Sequence, residues 1–235
     1  VSDLLLVERR GDLAFVTLND PERANALSPA LAAELTSVYR RDWRAEGVRA
    51  LLLAGAGRNF CAGADLEHLA GLAAASPLDH RLDSARLRDL FEAILRQEAL
   101  TLALVQGSCV AGGCGLATAC DFALAADDAR FLYSEVRIGF VAALVATWLS
   151  LRLRGSDVRE LLLAPEFVPA ARALELGLVA RVVPRAELAA AGERFGGELG
   201  VDRAHQAAAA GDRRPPARRA PRPGRRGQRR GARDR

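Results

Sequence analysis

Gln106-Gly107-Ser108-Cys109-Val110-Ala111-Gly112-Gly113-Cys114-Gly115-Leu116 follows the apolar run Leu102–Val105 and leads into Ala117-Thr118-Ala119-Cys120. A short unbroken apolar run reads as a buried strand, and the glycines after it as a loop that opens a helix. The first amides of a helix lack internal acceptors, and glycine lets another group come close to them. The spacing is not GxGxxG, and the lysine of a phosphate loop is missing. The bland alternative is a strand-to-helix turn softened by glycine. The wider stretch Ala99–Cys120 carries no charge over 22 residues, which is long enough to cross a bilayer. Its four glycines, together with Thr101, Gln106, Ser108 and Thr118, fit a strand, loop and helix start better.

Working outward, strands and helices alternate along the chain, which makes the class α/β. Leu4–Glu8 and Leu13–Leu18 flank Arg9-Arg10-Gly11-Asp12 and read as a hairpin. Ser28-Pro29 supplies a cap and a first-turn proline for a helix running to Glu46. Val48–Ala54, Phe122–Ala125, Phe131–Leu132 and Val179–Val183 read as strands. Helices are expected from Asp65, over Ser84–Gln97, Leu116–Cys120, Ala142–Leu153, Asp157–Leu163, Ala170–Leu176 and Ala186–Glu198. Residues 71–83 read as a loop or a mobile helix-turn segment punctuated by Ser76-Pro77.

Two further segments carry chemistry. In Phe60-Cys61-Ala62-Gly63-Ala64-Asp65-Leu66, small residues run into a helix start, so backbone N–H groups can face a negative oxygen. The alternative is an ordinary helix cap by Asp65. In Phe131-Leu132-Tyr133-Ser134-Glu135-Val136-Arg137-Ile138-Gly139-Phe140, one acid stands in an apolar stretch. Partial desolvation there would raise its pKa into an acid/base range. The alternatives are a Glu135–Arg137 pair or a plain surface acid.

The formal charge of +4 is unevenly spread. Residues 213–235 hold eleven arginines and one aspartate, a balance of +10, which leaves −6 for residues 1–212. The globular part is therefore mildly acidic, and nucleic-acid contact is expected only as non-specific contact by the arginine tail. Residues 200–235 are read as an atypical, disordered tail, and 1–199 as the folded domain. Cys61, Cys109, Cys114 and Cys120 form no CxxC pair, and His68, His80 and His205 show no metal spacing, so no metal is expected. No signal peptide or membrane span is read, which points to the cytoplasm. The chain lacks Lys and Met and starts on Val1. With the GC-rich codons implied by the tail, this suggests a frameshift near Leu199–Gly211, which resequencing the locus would test.

Taken in order, these segments resemble the crotonase superfamily of enoyl-CoA hydratases and isomerases, from about Val7 to Pro184. Ala62-Gly63-Ala64-Asp65 is similar to the family's first oxyanion segment and Ala111-Gly112-Gly113-Cys114-Gly115 to its second. The resemblance assigns the amide donors to Ala64 and Gly112 and the catalytic glutamate to Glu135. Pro21–Leu27, PERANAL, resembles the loop that touches coenzyme A. The implied substrate contacts are Arg23, Ala24, Ala26, Ala62, Asp65, Leu66, Gly113 and Gly115. The resemblance further implies a spiral of ββα units with C-terminal helices, an acyl-CoA substrate with no separate cofactor, and a homotrimer or pair of trimers. Hydration is the favoured reaction, with isomerisation or another acyl-CoA reaction as alternative. An inactive fold, or RNA binding through the tail, is a third reading. Gly115 stands where two-glutamate hydratases carry their first acid, a trait shared with methylglutaconyl-CoA-hydratase-like members. Ala142 and Ala143 replace a common proline and glycine, and the C-terminal segment does not resemble the family's closing helices.

Overall fold

The structure is a computed structural model and describes residues 3–72 and 74–198. Six strands form the main sheet. In chain order they are β1 (Leu5–Arg10), β2 (Leu13–Leu18), β3 (Ala50–Gly55), β4 (Leu100–Val105), β6 (Phe122–Ala126) and β9 (Arg181–Val183), and they lie side by side in that order. β1 and β2 form the expected antiparallel hairpin, with Leu5 opposite Leu18 and Gly11 at φ 63 in the turn. All later pairs are parallel. A smaller sheet joins β5 (Ser108–Val110), β7 (Arg130–Leu132) and β8 (Val168–Pro169).

Strand side chains alternate between two faces, and here both faces are covered. Leu51, Leu53, Ala103, Val105, Ala123 and Ala125 join the larger core, under helices α1 (Pro29–Tyr39), α3 (Pro77–Arg96) and α4 (Gly112–Ala119). Ala50, Leu52, Leu102, Leu104, Leu124 and Ala126 pack on the other face against Leu188, Ala191 and Phe195 of α8 (Leu188–Glu198). Gly192 is what allows α8 so close: a Cβ there would stand 2.6 Å from Leu104 Cδ2. The remaining helices are α2 (Leu66–Leu72), α5 (Ala143–Ser150), α6 (Gly155–Leu163) and α7 (Ala170–Leu176).

Several boundaries differ from those read in the sequence. Helix α1 stops at Tyr39 rather than Glu46, because Trp43 folds back into the core and its Nε1–H donates to the Val38 carbonyl (2.8 Å). Helix α3 starts at Pro77 rather than Ser84, inside the segment read as a loop or helix-turn. Ser76 and Asp79 form a reciprocal capping box there. The stretch Gln106–Gly113, expected as a loop, contains strand β5. Ala99–Cys120 supplies β4, β5 and α4, and no helix among the described residues is long and apolar enough to cross a membrane. The expected tail, 200–235, lies outside the described residues.

Candidate active site

In open parallel sheets the space beyond the carboxyl ends of the strands is where ligands settle. The chain after β3 carries Phe60–Asp65, and the chain after β4 carries Gln106–Gly112. Strand β5 pins the two together: Cys61 pairs with Cys109, and Val110 N–H donates to the Cys61 carbonyl at 2.9 Å. Gly63 sits at φ +87, and a Cβ on it would meet the Val110 carbonyl at 2.7 Å and Gly112 N at 3.3 Å. A Cβ on Gly112 would stand 3.9 Å from Ala64 N. The structure thus brings the two expected donor segments into backbone contact.

Hydrogen bonding leaves both donors uncommitted. Leu27 N–H donates to the Gly63 carbonyl (2.7 Å) and Asp65 N–H to the Leu27 carbonyl (3.5 Å), which clamps Ala64 between two used positions. Among the described residues neither Ala64 N–H nor Gly112 N–H has an acceptor. Gly112 opens α4, so its amide is one of the helix's orphan donors. Ala111 before it adopts φ 45, ψ −114, a region that disfavours a side chain, and its N–H donates to the Leu132 carbonyl at 2.8 Å. Sequence reading did not foresee that strain; only the glycines around Ala111 hinted at an unusual backbone path.

The loop read as PERANAL lies against this pair. Ala24, Ala26, Ala62 and Ala64 are half-buried, whereas Asn25, Leu27, Gly63 and Asp65 are buried. Ala62 N–H donates to the Ala24 carbonyl (2.9 Å), which ties the loop to the Phe60–Asp65 segment. Asn25, absent from the expected contacts, organises the loop. Its Oδ1 accepts from Asp20 N–H, and its Nδ2 reaches the carbonyls of Ala56, Asn59 and Phe60 at 2.9–3.1 Å. The positive φ of Ala24 (50) and Asn25 (55) makes that reach possible.

Asp65 is a helix cap, as one of the two sequence readings had it. Its Oδ1 accepts from Glu67 N–H (2.9 Å) and His68 N–H (3.3 Å). Arg23 pairs with its Oδ2 at 2.7 Å and with Glu67 at 3.4 Å. Burial alone would raise the Asp65 pKa; the hydrogen bonds from His68 and Glu67 and the Arg23 cation outweigh it and hold the carboxyl below its usual range. Leu66 opens α2.

Glu135 begins a single 3₁₀ turn, Glu135–Ile138, three residues beyond Leu132. It is half-buried, and its Oε2 is buried with no hydrogen-bond partner among the described residues. Burial raises its pKa, against a smaller opposing effect of its own N–H. Arg137 turns away and donates to the Pro165 carbonyl, so the alternative Glu135–Arg137 pair does not form. Val136, Ile138, Phe140 and Val141 beside it are exposed.

Gly113 and Gly115 each have a packing reason of their own. A Cβ on Gly113 would strike the Cys61 carbonyl at 2.6 Å, and one on Gly115 would strike Phe91 Cζ at 2.6 Å and Val145 Cγ2 at 3.1 Å. Cys61, Cys109 and Cys114 are buried free thiols behind the loops, and burial pushes Cys61 up to about 12. Asp121 exchanges hydrogen bonds with Thr101, as a structural residue does. A cavity of about 310 Å³ lies between α2 and α3, lined by His68, Leu72, Ala75, Leu82 and Arg86 among others. His68 Nε2 lies 2.7 Å from Asp83 Oδ1 at its edge.

Comparison with known proteins gives the family. The profile of the enoyl-CoA hydratase/isomerase family matches residues 8–208. A Thermus thermophilus protein, provisionally named an enoyl-CoA hydratase, is 42% identical over 175 residues, covering 74% of this chain and 69% of its own. The (E)-benzylidenesuccinyl-CoA hydratase of Thauera aromatica is 32% identical over 188 residues, covering 78% and 71%. The crystal structure of an enoyl-CoA hydratase from Mycobacterium smegmatis superposes with a TM-score of 0.80 at 36% identity, covering 85% of this chain and 77% of that one. The fold is that of the crotonase superfamily, and the chain belongs to the enoyl-CoA hydratase/isomerase family.

Proposed function

We propose that the chain hydrates the double bond of an enoyl-CoA thioester. The observation that carries this reading is the pair of uncommitted N–H groups, Ala64 and Gly112, on two backbones in contact, with the half-buried Glu135 tethered three residues from the Ala111–Leu132 bond. Water attack on the β-carbon pushes charge onto the thioester oxygen. Each preorganised N–H aimed at that oxygen contributes about 2.7–4 kcal/mol by comparison with other oxyanion sites. Glu135 takes a proton from the attacking water and returns one to the α-carbon. Its raised pKa suits a group that must both accept and give a proton near neutrality.

Ala24, Ala26 and Ala62, each half-buried, supply coenzyme A contacts in this reading. Glycine at 115 favours the methylglutaconyl-CoA-hydratase-like branch of the family. The exposed run Val136, Ile138, Phe140 and Val141 supports a homotrimer or pair of trimers, and the assembly is taken as cytoplasmic. One observation favours a second reading, double-bond isomerisation. Phe91 and Val145 fill the space beside Gly115, so a second carboxylate cannot enter there, and one acid suffices to shuttle a proton between two carbons. Incubating the full chain with a panel of 2-enoyl and 3-enoyl thioesters separates the two. Loss of the conjugated chromophore with uptake of water identifies a hydratase, and migration without water an isomerase. No conversion of any thioester in the panel would defeat both.

A further inference from the structure

Arg23 is drawn to two tasks that conflict. It belongs to the loop read as touching coenzyme A, yet its guanidinium is already committed to Asp65 (2.7 Å) and Glu67 (3.4 Å). The Asp65 side chain is only 7% exposed, and its two oxygens are divided. Oδ1 takes the first amides of α2, and Oδ2 takes Arg23. A carboxylate held from both sides has its plane fixed, and charge-assisted bonds of this kind are the stronger ones. Ala64 is the residue immediately before it, held in register only by the two bonds to Leu27. Releasing Oδ2 leaves the buried carboxylate held by the first amides of α2 alone, and the segment that carries the Ala64 N–H loses its anchor to the Arg23 loop.

We propose that Arg23 is a positioning residue, which through Asp65 keeps the Ala64 N–H aimed at the substrate oxygen, rather than a clamp for a phosphate. This rests on the reading of Ala64 as an oxyanion donor. An interaction made only in the transition state is lost from kcat, whereas a binding clamp is lost from KM.

The test uses the full chain with Arg23→Gln, Arg23→Lys and, as a control that breaks exposed ion pairs of α7 away from the site, Arg172→Gln. Steady-state hydration and amide hydrogen exchange over residues 60–72 are both measured. In R23Q, kcat falls by about tenfold or more with KM within about twofold, and exchange at Glu67 and His68 speeds up several-fold. R23K recovers part of both, and R172Q matches the wild type. A tenfold rise in KM with kcat and exchange unchanged overturns the proposal and returns Arg23 to the ligand. Should the wild type convert no enoyl thioester, the proposed reaction fails on its own, and unaltered exchange in R23Q would still overturn the Arg23–Asp65 coupling.

Discussion

The N–H of Ala111 donates to the carbonyl of Leu132 across 2.8 Å, and this bond joins the two halves of the site. Gly112 is the next residue on one side, and Glu135 is three residues along on the other. Three residues span at most about 11 Å even when fully extended, so a donor that follows β5 and an acid that follows β7 are held near one another. The bond depends on Ala111 keeping φ 45.

Ala111→Gly removes the steric penalty of that conformation, and Ala111→Val increases it. The expected outcome is a change of about 1 kcal/mol in favour of A111G and a loss of about 2 kcal/mol or more for A111V. Urea unfolding monitored by circular dichroism measures both, with the slope m constant.

Glu135→Gln removes the proposed proton carrier and should lower kcat by about 100-fold or more. It should also stabilise the fold in a pH-dependent way. Burial raises the folded-state pKa of Glu135 above the ordinary 4.5. The wild-type carboxyl therefore contributes stability below the unfolded-state pKa and loses it as pH rises through the folded-state one. The Tm difference between E135Q and wild type should be small near pH 4 and grow in favour of E135Q by pH 7. A difference that stays constant over that range would place Glu135 in water.

Gly115→Ala puts a methyl group 2.6 Å from Phe91 Cζ. Overpacking of this kind costs about 1–3 kcal/mol. Phe91→Leu in the same chain should recover part of that loss, so the double variant is more stable than the sum of the singles. Additive losses in a double-mutant cycle would show that the two residues do not press on each other.

Asn25→Ala strips a buried side chain that satisfies three carbonyls and one N–H. The expected loss is about 2–4 kcal/mol. Asn25→Asp should be worse, since a carboxylate would face those three carbonyls. Thermal unfolding of the three proteins ranks them directly.

The main sheet was legible because β3, β4 and β6 are short apolar runs bounded by glycine or polar residues, and a strand buried on both faces needs little else. Ser28-Pro29 announced α1 correctly, but not its end, which is set by Trp43 packing into a core that local pattern does not describe. Ser76-Pro77 was read as punctuation, although with Asp79 it spells a capping box. Strands β5 and β8 hold three and two residues, too few for any alternation, and exist because the small sheet pairs them. The glycine and alanine runs at 60–66 and 106–116 marked segments with an exposed helix start, and only the family resemblance singled out Ala64 and Gly112 as donors. The roles of Asn25, Ala111 and Phe91 were not, since each depends on a partner far away in sequence.

The proposed reaction requires a thioester oxygen between the Ala64 and Gly112 amides. A crystal structure of Glu135→Gln with a bound enoyl-CoA measures this most directly. The expected result places that oxygen about 2.7–3.2 Å from both Ala64 N and Gly112 N, with the carboxamide of residue 135 facing the β-carbon. An oxygen bonded to neither amide, or residue 135 turned away from the double bond, would contradict it.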